Sequence, residues 1–316
     1  MSDKRLTAVK AVAAISQIRG LPLYVVGGTV RDILLGRESS DIDLLVFGDV
    51  WKVAAELSAA IDGNWFVLDE FHRHIRVLSR RFPGFNVDLV ESKNQNLGEN
   101  LRDRDFTINA LALDVLEYQN YLATGDRRRV LEQVVDPGKG RMDIESRLIR
   151  LNNPQAFVSD PLRLLRAPRL AGCLGFEIEP GTRRAIIENA GLLRNTAPER
   201  IRDEFFYMLA LENSADLMEM LHSLGLIEII FPELSATVGV GQNDHHVLDV
   251  WEHIVSALRR LESRPWNGLN LDSELGGQLL RHLDDQVVEG RSRYLILKMA
   301  ALLHDVGKPL VKEVKP

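Results

Sequence analysis

Apolar residues change their spacing several times along the chain, and each change predicts an element. Leu6, Val9, Val12, Ile15 and Ile18 recur at every third position, the spacing of an amphipathic helix, and lead into a β-prone run at 24–26. Gly27-Gly28 permits a sharp turn, after which Val30, Ile33 and Leu34 restore helical spacing over 29–35. In 41–46 (DIDLLV) the period drops to two, so Asp41 and Asp43 leave the strand on one face while Ile42 and Leu44 enter the core. Val53, Leu57 and Ile61 mark another helix, and short strands are predicted at 65–68 and 74–78. Alternation returns at 85–90 and sets Asp88 opposite the buried Phe85, Val87 and Leu89. From Asp143 onward the strand signals stop and helices follow one another.

A helix that starts after two glycines offers N–H groups at its positive end, which suits a phosphate. Two carboxylates on one strand face repel each other unless a cation lies between them. Hard oxygen ligands beside a phosphate-binding turn suggest Mg²⁺ held jointly by Asp41, Asp43 and a nucleotide. Asp88 either completes a two-metal site as a third acid or is an ordinary surface carboxylate. In 101–114, Arg104 can meet a phosphate and Asp105 can accept from a ribose hydroxyl, with Asn109 beside them. Residues 125–129 read as a basic turn, and 136–140 (DPGKG) as the loop that ends the first domain.

In the helical part, Ser159 is the expected N-cap of a helix with Pro161 in its first turn. Asp160 and Arg163 then share one face, continued by Arg166. Cytosine and adenine each present an amino donor beside a ring-nitrogen acceptor, whereas uracil and guanine present the reverse. An Asp acceptor beside an Arg donor therefore accepts C and A. The plainer alternative is a helix salt bridge. The run 196–199 (TAPE) reads as a capping box, and Arg200 and Arg202 after it either reach a phosphate or line an exposed face. Leu217, Leu221 and Leu224 build a further helix that stops at Gly225.

Composition narrows the setting. The chain has 316 residues, is 45% hydrophobic and has a formal net charge of −6, so it folds around a sizeable core and any RNA contact must come from local basic patches. One cysteine, Cys173, excludes an internal disulfide framework, and its apolar helical surroundings point to packing. The amphipathic N-terminus lacks a signal-peptide core and no apolar run approaches membrane-spanning length, so a cytoplasmic protein without a membrane partner is expected. Near the end, His253 and the adjacent His304-Asp305 are candidates for a second divalent-metal site, with His245 and His246 weaker. A metal-hydrolase centre of that kind wants another carboxylate from a later helix. The chain is therefore expected to be truncated, and the histidines to serve packing more than ligation.

Six stretches in order, GGTVRD (27–32), DIDLLV (41–46), RDFTINALA (104–112), DPGKGRMD (136–143), SDPLRLLRAPRLAGCLGF (159–176) and ERIRDEF (199–205), resemble the motifs of class II tRNA nucleotidyltransferases. That family comprises CCA-adding enzymes, their CC-adding and A-adding relatives, and bacterial poly(A) polymerases. The remainder resembles part of an HD domain. The resemblance implies an α/β head of the nucleotidyltransferase, DNA polymerase β-like type with a small mixed sheet (1–140). An all-α neck with a base-recognition helix (141–230) and a helical, partly HD-like body (231–316) would follow. It implies that Asp41, Asp43 and Asp88 bind two Mg²⁺ ions and that Gly27, Gly28 and Arg31 hold the nucleotide. Arg104, Asp105 and Asn109 would serve phosphate and ribose, and Asp160, Arg163 and Arg166 the base. CTP or ATP would be the substrate and the tRNA 3′ end the partner. A poly(A) polymerase is the near alternative, and an HD-type phosphohydrolase with an RNA-binding head the distant one.

The chain departs from the family pattern in four places. Asp103 precedes Arg104-Asp105 where the family usually has a second arginine, Ser159 replaces an acid, and Pro168 interrupts a helix normally free of proline. Finally, 89–103 is short where complete CCA-adding enzymes carry a longer loop. Within the family a shortened loop accompanies addition of CC only, so the expectation leans toward a CC-adding enzyme.

Overall fold

The computed structural model describes residues 2–39, 41–81, 84–93, 96–241, 248–263, 273–288 and 290–311. They fall into two compact units, Met1–Ala156 and Phe157–Pro316. The first is built on β1 (Leu23–Val26), β2 (Ile42–Val46), β3 (Gly63–Asp69), β4 (His74–Ser79), β5 (Asn86–Glu91) and β6 (Ala112–Asp114). These strands form one mixed sheet in the order β3-β4-β5-β2-β1-β6. Only β2 and β5 run parallel, with Asp43 directly beside Asp88, and β4 pairs antiparallel to β5 with Arg76 beside Asp88. Side chains at paired positions share a face, so Asp43, Asp88 and Arg76 form one row across three strands.

Helices α1 (Ser2–Arg19), α2 (Gly28–Leu35), α3 (Val50–Ala60), α4 (Leu97–Arg102), α5 (Val115–Thr124), α6 (Arg127–Gln133) and α7 (Gly140–Glu145) surround the sheet. Leu44, Ile75, Val77, Val87 and Leu89 are at most 1% exposed and form the apolar counterpart of the acidic face. The stripe of α1 differs from the expected one. Ala8, Val9, Val12, Ala13 and Ile15 are buried, whereas Ile18 is 85% exposed, because a three-residue step drifts around a helix of 3.6 residues per turn. The strand expected at 65–68 is edge strand β3, whose apolar residues remain partly exposed. The basic turn expected at 125–129 is mostly helical: Asp126 caps α6, Arg127 bonds the Leu34 carbonyl at the end of α2, and Arg129 pairs with Glu117. Asp136 in the DPGKG loop accepts the N–H groups of Gly140 and Arg141 and so opens α7. A Cβ on Gly140 would lie 2.1 Å from the Thr107 carbonyl oxygen, so α7 packs against 107–109 only through a glycine.

The second unit is mainly helical, with short strands at Glu177–Ile178, Gln286–Val288 and Arg291–Ser292 where helices alone were expected: α8 (Ala156–Ser159), α9 (Arg163–Leu174), α10 (Pro180–Asn189), α11 (Pro198–Ala210), α12 (Ser214–Ser223), α13 (Ile227–Ile230), α14 (Pro232–Ser235), α15 (Val250–Glu262), α16 (Ser273–Asp284), α17 (Arg293–Leu303) and α18 (Lys308–Val311). Pro168 lies inside α9, which runs on to the left-handed cap at Gly175. The capping box expected at Thr196 does not form, because α11 begins at Pro198 with Ala197 as its uncapped N-cap residue. A true capping box joins Asp249 and Glu252 at the head of α15. The 1%-exposed Lys298 of α17 donates to the Leu211 carbonyl (2.7 Å) and pairs with Glu262 (3.2 Å). Glu262 in turn accepts the Ser214 hydroxyl and the Ala215 N–H at the start of α12. No helix among the described residues is long and apolar enough to cross a membrane.

Candidate active site

Where β1 ends, Gly27 adopts φ 67° and its N–H bonds the Leu111 carbonyl, turning the chain into α2. A Cβ there would lie 3.0 Å from Arg104 Nη1 and 3.7 Å from Asp43 Oδ2, so the position is glycine both for its backbone and for the space these groups fill. No side chain caps the first turn of α2. Thr29, 1% exposed, ties this helix to the acidic strand. Its hydroxyl lies 3.3 Å from the Asp41 carbonyl and 3.3 Å from the Asp43 N–H, donating to the first and accepting from the second. Ser39 also donates to the Asp41 carbonyl, and the Asn86 amide donates to Asp41 Oδ1 at 3.2 Å. Both carboxylates are half-buried.

The nucleotide-binding candidates of the head meet here. Arg31 Nη1 donates to Asn109 Oδ1 at 2.8 Å, and the other edge of its guanidinium holds Asp32. Asn109 Nδ2 lies 3.5 Å from Asp105 Oδ1, which accepts the Phe106 N–H at 2.8 Å. Arg104 Nη1 reaches the Asn109 carbonyl at 3.5 Å. Gly27, Gly28, Arg31, Arg104, Asp105 and Asn109 thus form one connected patch that borders Asp43.

Asp88 is on the same sheet face but is engaged differently. Arg76 grips it with both arms, Nε to Oδ1 and Nη2 to Oδ2, each at 2.7 Å. The hydrogen bond to Asp88 raises the Arg76 pKa above its ordinary value despite partial burial, and the charges of Asp88, Asp41 and Asp43 add to it. Asp41, Asp43 and Asp88 are not a trio with ligand atoms within 4.8 Å of one another; among the described residues that arrangement is found at His253, His304 and Asp305. Arg76 was legible in principle, since period-two alternation puts it on the Asp88 face of β4, but nothing in the local sequence names its partner.

Asp41 and Asp43 fit a hard divalent ion. Their donors are all oxygen, they follow one another on one strand face, and their backbone is fixed by Thr29 and Ser39 beside an uncapped helix start.

In the helical unit Asp160 and Arg163 flank the turn that opens α9. Ser159 closes α8 and is not the N-cap of α9, which begins at Arg163. Asp160 accepts the Leu162 N–H at 3.3 Å, an Asx turn ahead of α9. Its second oxygen accepts Arg200 Nη2 at 3.0 Å, and Arg163 Nη1 donates to Ser159 Oγ at 3.3 Å. The turn at Pro161-Leu162 is closed by the Arg163 N–H on the Asp160 carbonyl at 3.1 Å, so the two residues stay adjacent. Arg200, one of two arginines considered for phosphate contact, therefore holds Asp160, while Arg202 pairs with neighbouring Asp203. A cleft of about 360 Å³ beside them is lined by Leu162, Arg169, Arg200, Asp203, Glu204 and Tyr207.

The second metal candidate is assembled. The Nε2 atoms of His253 and His304 are 3.2 Å apart, and Asp305 Oδ2 lies 3.2 Å from His304 and 3.5 Å from His253. Two imidazoles and a carboxylate fit a divalent transition ion. Burial pushes the Asp305 carboxyl up, but Lys308 at 2.6 Å and the two histidines hold it below the ordinary range. His245 and His246 lie outside the described residues.

The mixed sheet and its glycine turn into a helix are those of a nucleotidyltransferase head. Residues 23–150 match the family model described as poly A polymerase head domain, and 175–237 that described as probable RNA and SrmB-binding site of polymerase A. The A-adding tRNA nucleotidyltransferase of Deinococcus radiodurans is 34% identical over 290 residues, covering 90% of this chain and 56% of that protein. The CC-adding tRNA nucleotidyltransferase of Geobacter sulfurreducens is 32% identical over 302 residues, covering 94% and 63%. The chain thus spans less than two thirds of these relatives. A crystal structure of a tRNA nucleotidyltransferase with a primer tRNA and an incoming ATP analogue superposes with a TM-score of 0.63 at 25% identity, covering 95% of this chain and 84% of that one. The chain belongs to the tRNA nucleotidyltransferase and poly(A) polymerase family.

Proposed function

We propose that this chain adds C or A nucleotides of the CCA end to the 3′ terminus of tRNA, using CTP or ATP and releasing pyrophosphate. The observation that carries the proposal is the junction of Gly27, Thr29, Asp41 and Asp43, where an uncapped helix start meets two carboxylates with fixed backbones. The A-adding and CC-adding relatives supply the choice of substrate.

The triphosphate would lie against Gly27, Gly28 and the α2 N-terminus, with Arg31 and Arg104 countering its charge. Asp105 and Asn109 would accept from and orient the ribose. Asp41 and Asp43 would hold Mg²⁺, which when bound supplies the positive charge that steadies attacking and leaving oxygens. The tRNA 3′-hydroxyl would attack the α-phosphate and release its proton to solvent, the bond from the α-phosphorus to the bridging oxygen would break, and pyrophosphate would depart. Catalysis then rests on position and charge more than on covalent participation of the protein. In the helical unit Asp160 and Arg163 would offer the acceptor and donor that fit cytosine or adenine, with Arg166 on the same helix.

Short segment 89–103, part of it folded as α4, favours addition of CC. Incorporation of each labelled nucleotide into tRNAs ending before, within and after CC is the test. C alone on the first two substrates supports a CC-adding enzyme, and A on the third an A-adding one. Long A tracts on unrelated RNA would indicate a poly(A) polymerase, and no incorporation would refute the proposal. The joined His253, His304 and Asp305 favour a second reading, a metal-dependent phosphohydrolase centre. Phosphate release from a nucleotide substrate with Mn²⁺ or Ni²⁺, lost in His304→Ala, would support it.

A further inference from the structure

The row Asp43, Asp88, Arg76 across β2, β5 and β4 presents an imbalance. Three carboxylates, Asp41, Asp43 and Asp88, belong to one face, and Arg76 grips Asp88 through two parallel bonds of 2.7 Å. Asp88 is 8% exposed, so its pairing with Arg76 is shielded from competing water. His74, the next residue on that face of β4, lies 3.9 Å from the same carboxylate. Asn86, one step before Asp88 on this face, donates instead to Asp41.

We propose that Arg76 is a positioning residue that withholds Asp88 from the metal site and leaves the ion to Asp41 and Asp43. This rests on the reading that those two aspartates bind Mg²⁺. A bidentate guanidinium occupies both Asp88 oxygens, and its charge cancels that of the carboxylate at the site. With two carboxylates instead of three, the protein alone binds the ion weakly, and triphosphate oxygens must complete the shell. Metal and nucleotide therefore arrive together, which couples metal occupancy to substrate.

The test is Mn²⁺ binding to the full chain without nucleotide, followed by electron paramagnetic resonance, in wild type, Arg76→Gln, Asp88→Asn and Arg76→Gln/Asp88→Asn. Arg76→Gln frees a carboxylate and removes a positive charge, so affinity should rise about tenfold. The double variant removes a mutually cancelling pair and should bind within about twofold of wild type, while Asp88→Asn alone, leaving Arg76 uncompensated, should bind a few-fold more weakly. Overlapping thermal unfolding curves establish that the variants are folded, and Arg76→Lys, which keeps the charge but loses the fork, should fall between wild type and Arg76→Gln. An unchanged or weakened Arg76→Gln, or a double variant more than about tenfold weaker than wild type, overturns the proposal, the latter by making Asp88 a ligand. Asp41→Asn/Asp43→Asn should abolish binding throughout. Persistence of binding in that variant would instead overturn the assignment of the metal to those aspartates.

Discussion

Asp41 and Asp43 in the head are anchored differently from Asp160 and Arg163 in the helical unit. In the head, Asp41 and Asp43 are fixed through their own backbone, by Thr29 and Ser39, and their strand lies between two others in the sheet. In the helical unit, Asp160 and Arg163 depend on side chains: Arg200 comes from 40 residues away and Ser159 from the preceding short helix. Backbone anchoring suits charges that must meet at fixed distance, since rotation about χ angles cannot move a strand. Side-chain anchoring suits a surface that tolerates small adjustments, because each guanidinium can re-aim at little cost.

The largest predicted effect tests the first half of this contrast. Asp41→Ala should reduce incorporation of every nucleotide by about a thousandfold or more, with tRNA binding intact by filter assay. Arg163→Ala should cost less, about ten- to a hundredfold, and mainly erode discrimination of C and A against U and G in competition assays. Equal losses in both variants, with base preference kept, would break the division between chemistry and choice. Arg200→Ala sharpens it: freeing Asp160 should blur base choice by a smaller factor, roughly three- to tenfold.

How far each region was legible from sequence follows the same division. Period-two alternation exposed Asp41, Asp43 and Asp88, and paired glycines located the turn, because strand and turn chemistry are local. Pairing partners were not local. Arg76 lies 12 residues from Asp88, Asn86 lies 45 from Asp41, and Arg200 lies 40 from Asp160. In the helical unit the helix start expected at Ser159 moved to Arg163, because Pro161-Leu162 forms a turn ahead of it. Thr196 failed as a cap for a related reason: Pro198 takes the first helical position and moves the N-cap to Ala197. The six-stranded order was equally hidden, since the parallel pairing of β2 with β5 skips two intervening strands.

A smaller effect probes the backbone anchor itself. Thr29→Val keeps the shape but removes a hydroxyl that serves both the Asp41 carbonyl and the Asp43 N–H, leaving these groups without that partner in a buried setting. The cost should be roughly 1–3 kcal/mol in urea denaturation, with activity falling more than the folded fraction does. Thr29→Ser restores the hydroxyl and should recover most of both. If Thr29→Val lowers stability but leaves the activity of the folded fraction unchanged, the hydroxyl does not position the acids, and the contrast between the two regions loses its main support.

The smallest effect concerns His74, which shares the Asp88 face of β4. Burial disfavours its imidazolium and outweighs the attraction of Asp88, so its pKa in the folded chain lies below the ordinary 6.5. The unfolded chain therefore takes up this proton at higher pH than the folded one. The associated stability is fully present above about pH 6.5 and is lost as pH falls through the folded value. Unfolding by urea at pH 7.5 and at pH 5.5 should accordingly show a smaller drop on acidification in His74→Gln than in wild type, because the other histidines and the carboxylates contribute to both. Equal drops would mean that Asp88, held by Arg76, still attracts the imidazolium enough to offset its burial. The acidic face would then be less completely neutralised at this edge than its geometry indicates.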